Sequence, residues 1–278
     1  MVVKRLILAA AVQAVLLGCD KNNNDDSPQA KTAPADINFT GVWAYDAVQQ
    51  TYITSTDELI YTENHSMRLV MNDLPVGVRY SRCILNDTNY GSGAKTDKNF
   101  YLDDYDNGFK VIDSTSLVRD RTYDVPNVDN RYIHEIATIH KLSGEMTVNQ
   151  GAVTVSGGGF LDENTTEVCI IRWHHPSDIA GVINITIPYN GNLMAIRMEY
   201  NNGIAVGNYT QTVSSTDTVE LSLDAYDWFD PINTNYIDPV SGTLTISAYD
   251  KQKLEGDFNF TTQDQNTYTG TFAVNFNQ

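Results

Sequence analysis

Carboxylates and aromatic rings crowd one short stretch of this chain. Asp224, Tyr226, Asp227, Trp228, Phe229, Asp230 and Pro231 are followed closely by Tyr236 and Asp238. Exposed rings beside carboxylates suit sugar binding: the ring faces bury apolar sugar surface, and the carboxylates accept its hydroxyls. Tyr226, Asp227, Trp228, Asp230 and Tyr236 are therefore candidate ligand-binding residues. The same residues also suit a core plug, with Trp228 and Phe229 turned inward and the aspartates capping turns. Both arrangements fit the sequence.

Metal chemistry has two starting points. His134-Glu135 followed by His140 invites comparison with the H-E-x-x-H zinc pattern, but the second histidine comes two residues late. On a strand the two imidazoles would share a face about 20 Å apart, too far for one ion. His174 and His175 are adjacent and would point oppositely, and His65 stands alone. No metal ligand set is expected from the histidines. Asp103-Asp104-Tyr105-Asp106-Asn107-Gly108 resembles the start of a calcium loop. Tyr105 and Ser114 occupy positions where an EF-hand needs oxygen ligands from Asp or Asn and from Glu. A hairpin turn at Asp106-Asn107-Gly108 needs no ion. Ca²⁺ is the one cofactor with any sequence support.

Nothing in the chain matches a nucleophile elbow, a phosphate-binding loop or a dinucleotide fingerprint. The many Asp and Glu residues leave a two-carboxylate hydrolase open, but no pair is selected. No catalytic residue is assigned, and the chain is not expected to be an enzyme.

Three cysteines remain to be explained. Cys19 follows Lys4, Arg5 and the apolar run Leu6–Leu17, which Gln13 alone interrupts. Twelve residues at 1.5 Å rise are too short to cross a ~30 Å hydrocarbon core, so the segment reads as a signal peptide. Leu16-Leu17-Gly18-Cys19 resembles the lipobox of bacterial lipoproteins. That resemblance implies cleavage before Cys19 and lipidation of its thiol and amine by diacylglyceryl and fatty acyl (palmitate-type) groups, which anchor together where one chain would not. It implies a bacterial cell-envelope address, facing the periplasm or on the cell surface. Cys83 and Cys169 are then an even pair in an oxidising space, which suggests a disulfide; two buried free thiols are the alternative.

The 278 residues carry a formal charge of −17, and loss of Lys4 and Arg5 with the signal brings it to −19. Such a surface repels nucleic acid and anionic lipid. The membrane is a partner through the anchor, and a glycan or another envelope protein is a further candidate.

The elements that would position these residues are strands. Met194, Ile196, Met198 and Tyr200 alternate with polar or small residues. So do Val219, Leu221, Leu223 and Ala225, then Leu244, Ile246 and Ala248, then Tyr268, Gly270, Phe272, Val274 and Phe276. Period-2 alternation with one apolar face predicts antiparallel sheet. Asn107-Gly108, Asn190-Gly191, Asn202-Gly203, Ser241-Gly242 and Glu255-Gly256 read as turns. The polar stretches 86–99 and 113–130 read as loops. The expected fold is all-β, with two antiparallel β-sandwich or barrel-like domains after a disordered tether. The expected boundaries are 1–18 for the signal peptide, 19–36 for the tether, 37–175 for the first β domain and 178–278 for the second, with the break near His175-Pro176-Ser177-Asp178.

Two further resemblances are carried by short motifs. Phe39-Thr40-Gly41-Val42-Trp43 is similar to the Gly-x-Trp that opens the first strand of lipocalins. It implies an eight-stranded barrel, closed at one end by the Trp, that carries a small apolar ligand. GTLTISAYD, GDFNFTT and GTFAVNF resemble β-sandwich modules of envelope lipoproteins. That likeness implies a fold and an address but no chemistry. The expected function is a lipid-anchored cell-envelope binding or structural module without catalysis, with a lipocalin-like carrier as the alternative.

Overall fold

The computed structural model describes residues 37–74, 77–83, 91–95, 99–102, 108–125, 128–159, 161–189, 192–212, 219–226 and 235–276. They form antiparallel strands throughout, with no helix among the described residues. The first eight strands are β1 (Gly41–Ile53), β2 (Glu58–Leu74), β3 (Gly77–Arg82), β4 (Gly91–Lys95), β5 (Asn99–Leu102), β6 (Phe109–Asp113), β7 (Ser116–Asp124) and β8 (Arg131–Ser143). Next come β9 (Gly151–Gly157), β10 (Leu161–Thr165), β11 (Cys169–His174), β12 (Gly181–Tyr189), β13 (Asn192–Tyr200) and β14 (Gly207–Thr212). The last five are β15 (Val219–Tyr226), β16 (Asn235–Ile237), β17 (Ser241–Asp250), β18 (Lys253–Thr261) and β19 (Thr267–Asn275).

Strands β1 to β8 each bond to the next in chain order, and β8 returns to bond β1. The result is a closed ring of eight strands. Closure satisfies the backbone groups that an edge strand would leave unpaired. Alternation along β1 sends Trp43, Tyr45, Ala47, Gln49 and Thr51 to one face, where the first three join a buried cluster with Leu69, Met71, Phe109, Leu117 and Ile139. One end of the ring is sealed. The Trp43 indole is fully buried, donates from Nε1 to the Phe39 carbonyl at 2.8 Å, and lies 5.6 Å from the Phe39 ring. Lys141 sits over the same indole and donates to the Asn38 carbonyl at 2.7 Å. Asp73 on β2 accepts from the Phe39 amide, and Thr40 Oγ1 accepts from the Asp73 amide, so the entering segment is latched to the barrel rim. Gly41 has φ 134°, and a Cβ there would overlap the Ser143 carbonyl. That explains the glycine in Gly-x-Trp: β1 and the end of β8 approach too closely for a side chain.

One edge of β2 is served by two strands in succession. β3 pairs with Leu69–Leu74, the Cys83 amide donates to the Arg68 carbonyl, and β11 takes over at Asn64–Ser66. A disulfide between Cys83 and Cys169 joins the end of β3 to the start of β11. From β11 the large sheet runs on through β12, β13, β15 and β16. β11 is buried on both faces: Cys169 and Ile171 belong to the barrel core, while Ile170 and the preceding Val168 belong to a second core. A near-continuous apolar run is what such a strand requires.

The second core lies between β12, β13 and β15 on one side and a six-stranded sheet, β10-β9-β19-β18-β17-β14, on the other. Ile183, Ile185, Met194, Ile196 and Leu223 face Val153, Leu244, Phe258, Phe260 and Phe272 across the gap. The outer face of the smaller sheet is polar, with hydroxyl pairs such as Thr154–Thr271 at 2.7 Å. Asp178 pins the two sheets at one end. It accepts from Arg172 (2.5 Å) and Tyr200 (2.7 Å) on the large sheet and from Tyr249 (2.6 Å) on the small one.

The alternating segments at 193–200, 219–225, 244–248 and 268–275 are strands as expected. Several turn and loop expectations are corrected. Glu255-Gly256 lies inside β18, because Gly256 leaves room for the Phe272 ring of its cross-strand partner. Ser241-Gly242 begins β17 and does not make a turn. Residues 116–124, within the expected loop at 113–130, are β7, and 91–95, within the other, are β4. His175-Pro176-Ser177-Asp178 is the connection between β11 and β12, and strands from either side of it share both sheets.

Candidate functional site

The registers of β2, β1, β8 and β7 stack the barrel's inward residues in levels. Above Trp43 and Leu69 come Met67, Tyr45, Ile139 and Leu117. Next are His65, Ala47, Ala137 and Arg119, then Glu63, Gln49, Glu135 and Arg121, then Tyr61, Thr51, Ile133 and Tyr123. The lower levels are aromatic and aliphatic. Ala47 and Ala137 are small residues at mid-depth, and the level above them is wholly polar.

Glu135 is the centre of that polar level, with only 1% of its surface exposed. Its Oε1 accepts from Arg119 Nε (2.9 Å) and Nη2 (2.6 Å) and from Arg121 Nε (3.2 Å). Its Oε2 accepts from Arg121 Nη2 (3.3 Å) and Gln49 Nε2 (2.8 Å). A buried carboxylate is tolerated only when its lone pairs are met in this way. Burial works to raise the Glu135 pKa, but Arg119, Arg121 and Gln49 outweigh it and hold the carboxyl below its ordinary range. The guanidiniums are supported in turn: Arg119 lies 4.2 Å from the centre of the Phe109 ring and Arg121 4.5 Å from that of Tyr123. Burial, then the Glu135 charge, pushes the Tyr45 phenol up to about 12, so it stays protonated. Arg119 is buried, whereas Arg121, Gln49 and Tyr123, further along their strands from the Trp43 level, are half-buried.

Arg119 and Arg121 were hidden in a stretch that reads as a loop. The signal that could have found them is the alternation Leu117-x-Arg119-x-Arg121-x-Tyr123, with arginines where core residues normally recur. Glu135 sits in the His134-Glu135 motif, but its partners are arginines. His134 points outward to Asp120 at 2.7 Å. His140 is on the same outward face of β8, six residues on. Among the described residues no group of three His, Cys, Asp or Glu side chains could hold a metal ion.

The aromatic-acidic stretch is only partly placed. Tyr226 ends β15 opposite Leu193, and Tyr236 lies on β16 opposite Asp224. Asp224 is fully buried and accepts from Ser222 Oγ at 2.8 Å. Asp227, Trp228 and Asp230 lie outside the described residues, as do Cys19 and the calcium-loop residues Asp103–Asn107.

No family model, no curated protein and no solved structure matches this chain.

Proposed function

We propose that this chain is a lipid-anchored cell-envelope protein that works by binding, and that its eight-stranded barrel receives a small ligand at the end opposite Trp43. The observation that carries the reading is the pairing of a sealed apolar end with a polar level, built around Glu135, whose other members are half-buried. The Gly41-Val42-Trp43 start and the closed ring support a lipocalin-like use of the barrel. The charged level favours a ligand with a polar or anionic group over a wholly apolar one: Arg121 and Gln49 are pre-oriented by Glu135, and Tyr123 and Tyr61 flank them with ring surface. A binding role also fits the state of Glu135, since a carboxylate clamped between two guanidiniums is a poor proton shuttle near neutral pH. The anchor rests on Leu16-Leu17-Gly18-Cys19, and the polybasic patches that nucleic acid would require are missing from a sequence of this charge.

Native mass spectrometry of the full chain, extracted from its own membranes in mild detergent, tests the reading. The expected result is a bound small molecule whose occupancy falls about tenfold in Arg121→Gln, the scale of a lost charge-assisted hydrogen bond. A clean unliganded mass for the wild type, or equal occupancy in the variant, would overturn it.

A further inference from the structure

The free edge of β2 is a second place where this molecule can bind. β2 pairs with β1 from Glu58 to Met71, and on its other side β3 takes Leu69–Leu74 and β11 takes Asn64–Ser66. Among the described residues no strand pairs with Glu58–Glu63 on that other side. β11 ends at His174, and Pro176 follows in the connection that leads away to β12. The ladder therefore stops short, and the backbone donors and acceptors beyond Asn64 face outward without a neighbouring strand. Edges of this kind are usually guarded by Lys or Pro, and Glu58-Leu59-Ile60-Tyr61-Thr62-Glu63 contains neither. Its centre is apolar and open: Leu59, Ile60 and Tyr61 are 47%, 40% and 47% exposed.

A bulge sorts the side chains along this edge. Tyr52 pairs with Leu59 and Thr51 with Tyr61, so Ile60 is an extra residue. Glu58, Tyr61 and Glu63 stand opposite Ile53, Thr51 and Gln49 and so share one face, whereas Leu59 and Thr62, opposite Tyr52 and Gln50, share the other. An unpaired strand edge is completed by another strand. A second copy of this chain, antiparallel over the same residues, would set Glu58 against Glu63 at both ends, with like charges directly opposed. A strand with basic residues on one face and apolar residues on the other fits better. Its cations meet Glu58 and Glu63, the latter with only His65 nearby at 3.2 Å, and its apolar side chains cover Leu59. From the unpaired edge and this charge pattern we infer that β2 binds an extended, alternately basic and apolar segment of a partner protein by strand addition. Backbone hydrogen bonds hold the segment, and the two faces of the edge select it. The bulge twists the end of the edge and keeps the added ladder short.

Fluorescence anisotropy of a labelled Lys-Val-Lys-Val-Lys-Val-Lys peptide, titrated with the full-length chain in neutral detergent, tests this. The expected result is saturable binding, weakened about tenfold by Leu59→Lys, which sets a like charge on the edge, and about threefold by Glu58→Gln. Both side chains are exposed, so thermal melts of the variants should match the wild type. Ile136→Lys makes the same kind of change at an exposed position on β8, a strand paired on both sides, and should leave the affinity unchanged. A Lys-Pro-Lys-Pro-Lys-Pro-Lys peptide keeps every lysine but loses the alternate backbone donors, and should bind about tenfold more weakly. Absence of saturable binding would overturn the proposal. So would equal binding of the proline peptide or an equal loss in Ile136→Lys, either of which would mean general attraction to an acidic surface. A neutral Thr-Val peptide binding as tightly would remove the basic partner, and a wild-type dimer dissociated by Leu59→Lys would make a second copy the occupant.

Discussion

Glu135 shows how much of the barrel depends on one side chain. It takes five hydrogen bonds from three residues in a place where water scarcely reaches. Removing its charge alone leaves Arg119, itself 8% exposed, without a counter-ion. Glu135→Gln should therefore lower the unfolding free energy by about 3–5 kcal/mol, read from urea denaturation. The double change Glu135→Leu with Arg119→Met should cost clearly less than the sum of the two single changes, because Arg119 is no longer left buried without its carboxylate. The pH dependence has a definite sign. Glu135 and Asp178 both have pKa values held below their ordinary ones in the fold, burial being outweighed in each case by arginine and hydrogen-bond donors. Their contribution is complete above the unfolded-state pKa values, near 4, and is lost as pH falls from there toward the depressed folded values. The urea midpoint should stay level from pH 7 to about 5 and drop steeply below about 4, with a shallower drop in Glu135→Gln.

At the level of single elements, β7 and β11 are the informative cases. β7 carries Arg119 and Arg121 at inward positions, so its alternation is not one of apolar against polar, and it reads as a loop until its partner strand supplies Glu135. β11 has apolar residues on both faces, which period-2 reasoning alone cannot tell from a buried helical turn. Its two faces serve different cores: Ile171→Ala should loosen the barrel and Ile170→Ala the sandwich, each at about 2–5 kcal/mol by chemical denaturation. The Cys83–Cys169 bond holds β11 beside the end of β3 and closes a loop across a sequence separation of 86. Reduction, or Cys83→Ser with Cys169→Ser, should lower stability by up to about 4–5 kcal/mol in the chain-entropy model, checked by thermal melts with and without reductant. Cleanly alternating strands such as Val219–Tyr226 and Thr267–Asn275 were legible because each has one apolar face. Gly256 and Gly242 misled because a glycine facing an aromatic side chain across a ladder looks locally like a turn. The pair Ser143-Gly144 and Ser241-Gly242 makes the same point: the first ends β8 and the second begins β17.

Over the whole molecule, chain order and packing order differ. β9 and β10 leave the barrel meander to join β14, β17, β18 and β19, and β11 then returns to the edge of β2. Ring closure and the seal at Trp43 both arise from pairings between distant segments, such as β1 with β8. The proposed anchor acts at this scale too. Radiolabelled palmitate should label the wild type in growing cells and leave Cys19→Ala unlabelled, and the variant should leave the membrane fraction; unchanged labelling would remove the anchor from the reading. By itself the sequence determined that the chain is β-rich and where the most regular strands run, because each is a matter of local pattern, and an even count of cysteines suggested the Cys83–Cys169 pairing that the structure shows. The tertiary structure alone decided that eight strands close into a ring and that two arginines in a polar stretch meet one glutamate inside it. Those outcomes depend on register and on which faces meet, and a one-residue slip in pairing would send every one of those side chains to the opposite face.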